Sequence, residues 1–288
     1  MSSGDARWTD LWPGFLKALH RRAVPIRCDD FGLCAVDKGA GILSHPNGKG
    51  CAESTLVRAP YDPRRRAYLL QEGPVFLINR LDAATEGILL LSLDEAVATA
   101  VGDSFAAGKV HKAYHAIVLG QRTLQRERWT DQLRRQRQTN HIEVRTGGPL
   151  RAETDVLPLE KILSPHGPLT LLQLCPITGK THQLRVQCAA RHAPILGDEL
   201  YGDFSVNRSL RRSGIRGMQL HSSRLRLCYS LAGNLRHFAA SAPSLPDFLG
   251  RWQLLRTDAS LRCGPSDAPR LLGLPATPTL AKFGRPRL

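Results

Sequence analysis

Two apolar runs, Val75-Phe76-Leu77-Ile78 and Ile88-Leu89-Leu90-Leu91, enclose a segment from Asn79 to Gly87 that carries all the charge of the region. Short continuous apolar runs bounded by polar residues predict buried strands. The segment Asn79-Arg80-Leu81-Asp82-Ala83-Ala84-Thr85-Glu86-Gly87 therefore has both ends anchored in a core, with a guanidinium and a carboxylate two residues apart. A rigid scaffold presenting a polar loop is where chemistry is usually placed. A surface turn in which Arg80 and Asp82 merely face water is the plainer reading of a generic R-x-D.

Composition narrows the classes. A chain of 288 residues, 42% of them hydrophobic, can bury a sizeable core and is globular. Forty Lys and Arg against 25 Asp and Glu leave a formal charge of +15, which points to a polyanionic partner, either nucleic acid or an acidic membrane surface. No apolar run approaches the roughly 20 residues of a membrane span. The opening MSSGDARWTD has neither a basic region nor an apolar core, so no secretory signal is expected. Seven cysteines are scattered without a C-x-x-C pair. Reduced thiols in a cytoplasmic protein are expected, with neither a disulfide framework nor a metal site.

Taken in order, residues 1–27 place Trp8, Leu11, Trp12, Phe15, Leu16 and Leu19 at helical spacing, with Pro13 starting or interrupting the helix. This reads as a helical docking extension. From Phe31 a strand, a Lys-Gly-Ala-Gly turn and a second short strand are predicted. Gly48-Lys49 does not make a phosphate loop, because Leu43 and Gly50 stand where Gly and Ser or Thr are required. Ser92-Leu93-Asp94-Glu95 fits a capping box with Ser92 as N-cap, opening a helix through Val97, Val101 and Phe105 that stops at Gly108. Lys109 to Gly120 alternates as a strand and places Tyr114 on a sheet face.

Residues 121–150 turn to Arg, Gln and Thr and read as a polar, basic insertion at a cleft rim. There Arg134, Arg135 and Arg137 either bind phosphates or form a solvated face. Strands return at Ala152 to Leu159 and Leu169 to Cys175. Thr178-Gly179 makes a turn, Thr181 caps a helix, and Arg185 lies in the first turns of that helix. Arg224 to Tyr229 and Leu235 to Ala239 form a hairpin across Ala232-Gly233-Asn234. Residues 28–250 form the main domain, and residues 251–288, rich in Pro, Arg and Gly, a basic disordered tail. Periodicity alone supports only a mixed α/β chain.

Several stretches resemble the RluA family of pseudouridine synthases. Asn79 to Gly87 is similar to that family's H-R-L-D-x-x-T-S-G and to the G-R-L-D-x-x-T-E-G of the related RsuA family. Asp37-Lys38-Gly39-Ala40-Gly41 resembles N-K-P-x-G without its Pro. Lys112 to Gly120 resembles K-x-Y-x-A-x-V-x-G, and Thr178 to Gln187 resembles T-G-R-x-H-Q-[LI]-R-x-H, with Lys180 for Arg and Gln187 for His. His192 to Gly202 resembles H-P-I-x-G-D-x-x-Y-G with Ala193 added, and Gln219-Leu220-His221-Ser222 resembles an L-H-A strand. The resemblance covers roughly residues 31 to 240 in the family's order. Asn79 and Glu86 depart from the usual His and Ser.

The resemblance implies an α+β pseudouridine synthase fold, a bent, mainly antiparallel mixed sheet with flanking helices and a central catalytic cleft. It implies Asp82 as nucleophile, Tyr114 as the active-site tyrosine and Arg185 as the partner of Asp82. Arg80, Thr85, Ile177, Lys180, His182 and Leu184 are the expected substrate contacts. RNA is the implied partner, with no cofactor, no metal and no membrane. Tyr114 to Val118 and Gly202 to Arg208 look closest to the tRNA-modifying members, with ribosomal RNA as the alternative. A monomer is expected because no heptad pattern is present.

Such residues suit the reaction. Isomerising uridine breaks the bond from the anomeric carbon to N1 and rejoins the same carbon to C5, with no redox change. A carboxylate can attack a glycosidic centre or stabilise its cationic transition state. A guanidinium beside it favours the ionised form and binds it bidentately. Extruding the base costs a few kcal/mol. Arg80 would fill the vacated place, and Tyr114 would stack the uracil and take the C5 proton. Three rivals remain: an inert RNA-binding protein on the same fold, a structural ribosome-associated protein, and a glycosidase. The glycosidase needs a second carboxylate, for which Glu86 is the nearby candidate.

Overall fold

The computed structural model describes residues 8–46, 54–137 and 142–260. The chain opens with helix α1 (Trp8–Ala18), which contains Pro13, and strands β1 (Ala23–Cys28) and β2 (Leu33–Lys38). Short strands β3 (Tyr61–Asp62) and β4 (Ala67–Leu69) lead to β5 (Pro74–Leu77) and β6 (Glu86–Ser92), the two strands expected around the charged loop. Helix α2 (Glu95–Ala106) and strand β7 (Val110–Leu119) follow. Then come β8 (Glu127–Arg137), β9 (Ile142–Thr146), β10 (Leu150–Ser164) and β11 (Gly167–Pro176). Helices α3 (Gln183–Ala189) and α4 (Phe204–Arg212), strands β12 (Leu220–Leu231) and β13 (Asn234–Ser241), and helix α5 (Leu245–Ser260) complete the fold.

All 13 described strands join one open sheet with the path β3-β4-β5-β6-β12-β7-β11-β10-β8-β9. Every pairing is antiparallel except β6 with β12, so the sheet is mixed, as the resemblance implied. Strand β6 explains where the cleft lies. One edge of it pairs with β2 from Lys38 opposite Gly87 to Leu33 opposite Ser92. Its other edge is shared: Leu91 and Ser92 pair with β5, while Glu86 and Gly87 pair with β12. The two neighbours diverge from β6, and the Asp82 loop, which joins β5 to β6, emerges where they part.

Several expectations are corrected. Asp94, not Ser92, caps α2, accepting from Val97 N–H at 2.9 Å. The Ser92 hydroxyl is instead buried and accepts from Asp94 N–H at 3.2 Å. The polar insertion of residues 121–150 is largely the pair β8 and β9, whose Trp129, Leu133 and Val144 are buried. Arg134 and Arg135 lie on β8, and the side chain of Arg137 lies outside the described residues.

Helix α1 buries Leu11 and Phe15 in the same core as Val36, Leu77 and Leu89, so it belongs to the body of the fold. The basic tail does not begin at residue 251: α5 continues to Ser260, with Trp252 and Leu255 buried against Ile117 and Leu171. Residues 261–288 of that expected tail lie outside the described residues. Cys28 and Cys34 are joined as a disulfide across β1 and β2, whose antiparallel register sets them opposite each other. That corrects the expectation of wholly reduced thiols, whereas Cys175, Cys188 and Cys228 are free.

Two buried histidines give the fold a pH dependence. Burial, with Arg224 nearby, lowers His115 from 6.5 to about 4, and burial, with His115 and Arg251, lowers His221 from 6.5 to about 3. Both rings are neutral when folded at pH 5, whereas the unfolded chain protonates them near 6.5. The unfolded state thus binds more protons, and stability falls as the pH drops below 6.5, until about pH 4 for His115 and about 3 for His221. The expected loss between pH 7 and pH 5 is about 2 kcal/mol for each ring, readable by urea denaturation at the two pH values. A total loss under about 1 kcal/mol would show that the rings protonate in place.

Candidate active site

The Asp82 loop is tied down from three sides. Ser44 brackets Leu81, its hydroxyl donating to Leu81 C=O at 2.7 Å and accepting from Leu81 N–H at 3.0 Å. Asn79 accepts from Leu90 N–H at 2.7 Å, so the departure from His at this position serves the junction with β6. Lys38, fully buried, donates to Ala83 C=O at 3.1 Å and to Ile42 C=O at 2.9 Å. Burial lowers its pKa to about 7, against the opposing charges of Asp82 and Glu86. Thr85 N–H closes the turn on Asp82 C=O at 3.0 Å. A loop held this way leaves the Asp82 side chain one direction to point.

What it points at is Arg185. Helix α3 begins after His182, which has φ +52° and provides no side-chain cap, so the expected Thr181 cap is corrected. The turn is held by Gln183, whose Oε1 accepts from Lys180 N–H at 3.0 Å and the Thr178 hydroxyl at 2.7 Å. One turn into α3, Arg185 donates from Nη1 to Asp82 Oδ2 at 3.0 Å, and from Nε and Nη2 to the two oxygens of Asp198 at 2.7 and 2.8 Å. The Asp198 side chain is wholly buried, while Asp82 keeps 30% of its side-chain exposure. The guanidinium is thus clamped from behind by one carboxylate and offered to another that remains open to a substrate. Burial opposes the Arg185 charge, but hydrogen bonds and charge from Asp198 outweigh it and raise the pKa above its ordinary value. Asp198 itself is held below the usual carboxylate range: burial works against that shift, and hydrogen bonds from Arg185 and two backbone N–H groups overcome it.

His182 completes this side, its Nε2 lying 3.8 Å from Asp82 Oδ2. Tyr201 accepts from Val144 N–H at 2.8 Å and meets His182 Nδ1 at 2.9 Å, so its own hydroxyl proton is available to that nitrogen. A ring whose Nδ1 accepts from Tyr201 carries its proton on Nε2, the nitrogen on the Asp82 side. Burial lowers the His182 pKa, against the charge of Asp82. The Arg185 guanidinium sits 5.0 Å from the centre of the Tyr201 ring.

Two cavities flank Asp82. The narrow one, about 90 Å³, is lined by Asp82, Thr85, Lys112, Tyr114, Lys180, His182, Leu184 and Arg185, among others. The wider one, about 410 Å³, adds Ser44, His45, Arg80 and Leu200. In the narrow cavity, burial pushes the Tyr114 phenol up to about 12, with Asp82 adding to the shift and Ser222 opposing it. A carboxylate clamped by arginine, facing a neutral phenol across a ring-sized slot, has the parts for glycosidic chemistry on a planar base.

Residues 32–190 match the family model described as RNA pseudouridylate synthase. The chain belongs to that family. It is 34% identical to tRNA pseudouridine synthase C of Pasteurella multocida (strain Pm70) over 202 residues, 67% of this chain and 81% of the relative. It is 29% identical to the ribosomal large subunit pseudouridine synthase D of Xanthomonas campestris pv. campestris over 243 residues, 81% of this chain and 69% of the relative. The solved structure of human RNA pseudouridylate synthase domain containing 1 superposes with a TM-score of 0.59 at 24% identity, covering 86% of this chain and 89% of that one. At that identity the likeness bears on fold alone.

For this RNA pseudouridylate synthase, the narrow cavity gathers Asp82, Thr85, Tyr114, Lys180, His182, Leu184 and Arg185. Arg80 stands apart at the wider cavity, exposed, with Nη1 2.9 Å from His45 Nε2. Ile177 is a correction: it is 42% exposed and lines neither cavity. The alternation of β11 turns Leu174 and Pro176 inward, so Pro176 takes the place expected of Ile177. Glu86 faces away from the narrow cavity and pairs with Arg251 on α5 at 2.7 Å. Glu86 is therefore not placed to serve Asp82 as the second carboxylate that a glycosidase would need.

Sequence reasoning missed Asp198, Tyr201 and Lys112. All three lie within quoted motifs, and Lys112 precedes Tyr114 by two, the spacing that puts both on one strand face. Burial lowers the Lys112 pKa.

Proposed function

We propose that this RNA pseudouridylate synthase isomerises uridine in tRNA, acting as a single chain, with Asp82 as its nucleophile. The observation that carries the chemistry is the Asp82–Arg185 pair beside Tyr114 in one narrow cavity. That one chain brings all of these groups together supports the single-chain reading. The higher identity to the tRNA enzyme of Pasteurella supports tRNA over ribosomal RNA.

In this reading the target uridine leaves its stack and its uracil enters the narrow cavity, while ribose and phosphate occupy the wider one against Arg80. Asp82, held by Arg185, attacks the anomeric carbon or stabilises its positive charge as the bond to N1 breaks. The freed uracil rotates, C5 bonds to the same carbon as any ester bond from Asp82 to it breaks, and N1 gains a proton while C5 loses one. Tyr114 offers the stacking face. A phenol near 12 is almost wholly neutral at pH 7, so its part in removing the C5 proton requires that it first give up its own.

The test is tritium release from uridine labelled at C5, using bulk tRNA and ribosomal RNA transcripts with the parent and Asp82→Asn. Release from tRNA that vanishes in the variant is the expected result. Release confined to ribosomal RNA would move the substrate, and release by Asp82→Asn at the parent rate would remove the nucleophile. Tyr114→Phe is expected to bind RNA as the parent does and turn over at least tenfold more slowly. Full turnover by that variant would leave Tyr114 a stacking role alone.

A further inference from the structure

Helix α4 presents an aromatic ring on the face where a folded chain normally keeps polar groups. Its inner face buries Asn207 and Leu210, and Asp203 caps it, accepting from Ser205 and Val206 N–H. On the opposite face Phe204 is 63% exposed, and Arg208, Arg211 and Arg212 are exposed beside it. Positions 204, 208, 211 and 212 repeat at the spacing of one helical stripe, about 12 Å long at 1.5 Å per residue. Among the described residues, Arg208 and Arg212 have no acidic partner within 4 Å, and Arg211 reaches only the exposed Glu199 at 3.4 Å. The C-terminal end of the stripe borders a depression of about 470 Å³ lined by Arg211 and Arg216.

The stripe also lies close to the chemistry. Phe204 follows Tyr201 by three residues, a backbone reach of at most about 11 Å, and Tyr201 touches both His182 and Arg185.

We infer that the exposed face of α4 binds unpaired nucleotides flanking the target uridine, a base stacking on Phe204 and phosphates lying on Arg208 and Arg212. The occupant follows from the chemistry. An arginine row whose three guanidiniums meet only one carboxylate among the described residues, Glu199, suits a polyanion, and an exposed ring within it suits a partner that carries flat bases as well as charge. A folded protein partner would have to bring carboxylates for the arginines and an apolar pocket for the ring, whereas each nucleotide carries both a charge and a flat face. The inference rests on the reading of this chain as an enzyme acting on RNA.

The test uses full-length protein carrying Asp82→Asn, with fluorescein-labelled bulk tRNA and a labelled oligouridylate, read by anisotropy across a salt series. Phe204→Ala should weaken binding about tenfold with little change in the salt slope. The double change Arg208→Gln, Arg212→Gln should weaken it similarly at low salt and reduce the slope by about 1.4, the value for two single-strand phosphates. Lys161→Gln, an equal loss of charge per residue at an exposed position on β10, should change little. Affinities within twofold of the parent for both α4 variants would overturn the inference, as would an equal loss from Lys161→Gln. Tritium release by the parent stands as a separate readout. Loss of binding in the α4 variants of a protein that isomerises no uridine would keep this surface and discard the enzymatic reading.

Discussion

Lysine in place of Arg185 is expected to slow the chemical step on RNA by about 100- to 1000-fold while RNA affinity stays within a few-fold of the parent. The geometry gives two reasons. Three of the guanidinium's donors are engaged at once, two by Asp198 and one by Asp82. An ammonium on a flexible stem keeps the charge but cannot reproduce that fork. Asp198, with no side-chain exposure, would lose its bidentate partner, which should cost about 3 kcal/mol of stability. Asp82 would lose the group that fixes its direction. Single-turnover rates with excess enzyme, set against anisotropy with the same RNA, separate the two effects. A single-turnover rate equal to the parent's would remove Arg185 from the mechanism.

The second large effect is structural. Gly87→Ala should destabilise the fold by about 4 kcal/mol or more, enough to leave little native protein at 37 °C. Gly87 has φ +106°, a region that L side chains rarely adopt, and a Cβ there would meet the backbone of Ser222, its carbonyl oxygen first. The collision is with main chain across the parallel β6–β12 pairing, so no side chain can swing aside. Urea denaturation reads the loss directly, and a midpoint unchanged from the parent would show that β6 and β12 can separate without consequence.

Both predictions depend on parts of the molecule that differ in how plainly the sequence announces them. The strands around the Asp82 loop are legible because nothing but burial on both faces accommodates Leu89, Leu90 and Leu91 in succession. The Arg185 pairing was reachable only through the resemblance, since spacing says nothing of residues that meet across a cleft. Strands β8 and β9 were missed because arginines and glutamines mask a simple alternation. Trp129, Asp131 and Leu133 share one face, and Asp131 is held there by Gln187 and Arg191 rather than by apolar packing. Helix α5 was lost in a segment whose Pro and Arg content further on reads as tail, although Phe248, Trp252 and Leu255 mark its inner face. Asp198 is the instructive omission. A carboxylate thirteen residues after the arginine reads as surface until the fold shows it fully buried behind the guanidinium.

The pairing of β6 with β12 also sets a schedule for the chain's own making. Asp82 and Arg185 are 103 residues apart, and the Ser222 hydroxyl that reaches Ile88 C=O is 134 residues beyond it. Contacts of such long separation form late and slowly. At the pace of a ribosome, about 5–20 residues per second, Asp82 emerges on the order of 10 seconds before the strand that braces its loop. Through that interval the nascent chain carries Asp82 without the partners that hold it in the folded protein. The Asp82 site proposed above is therefore complete only when the last strands seat, because the pairing that braces its loop is made by the end of the fold.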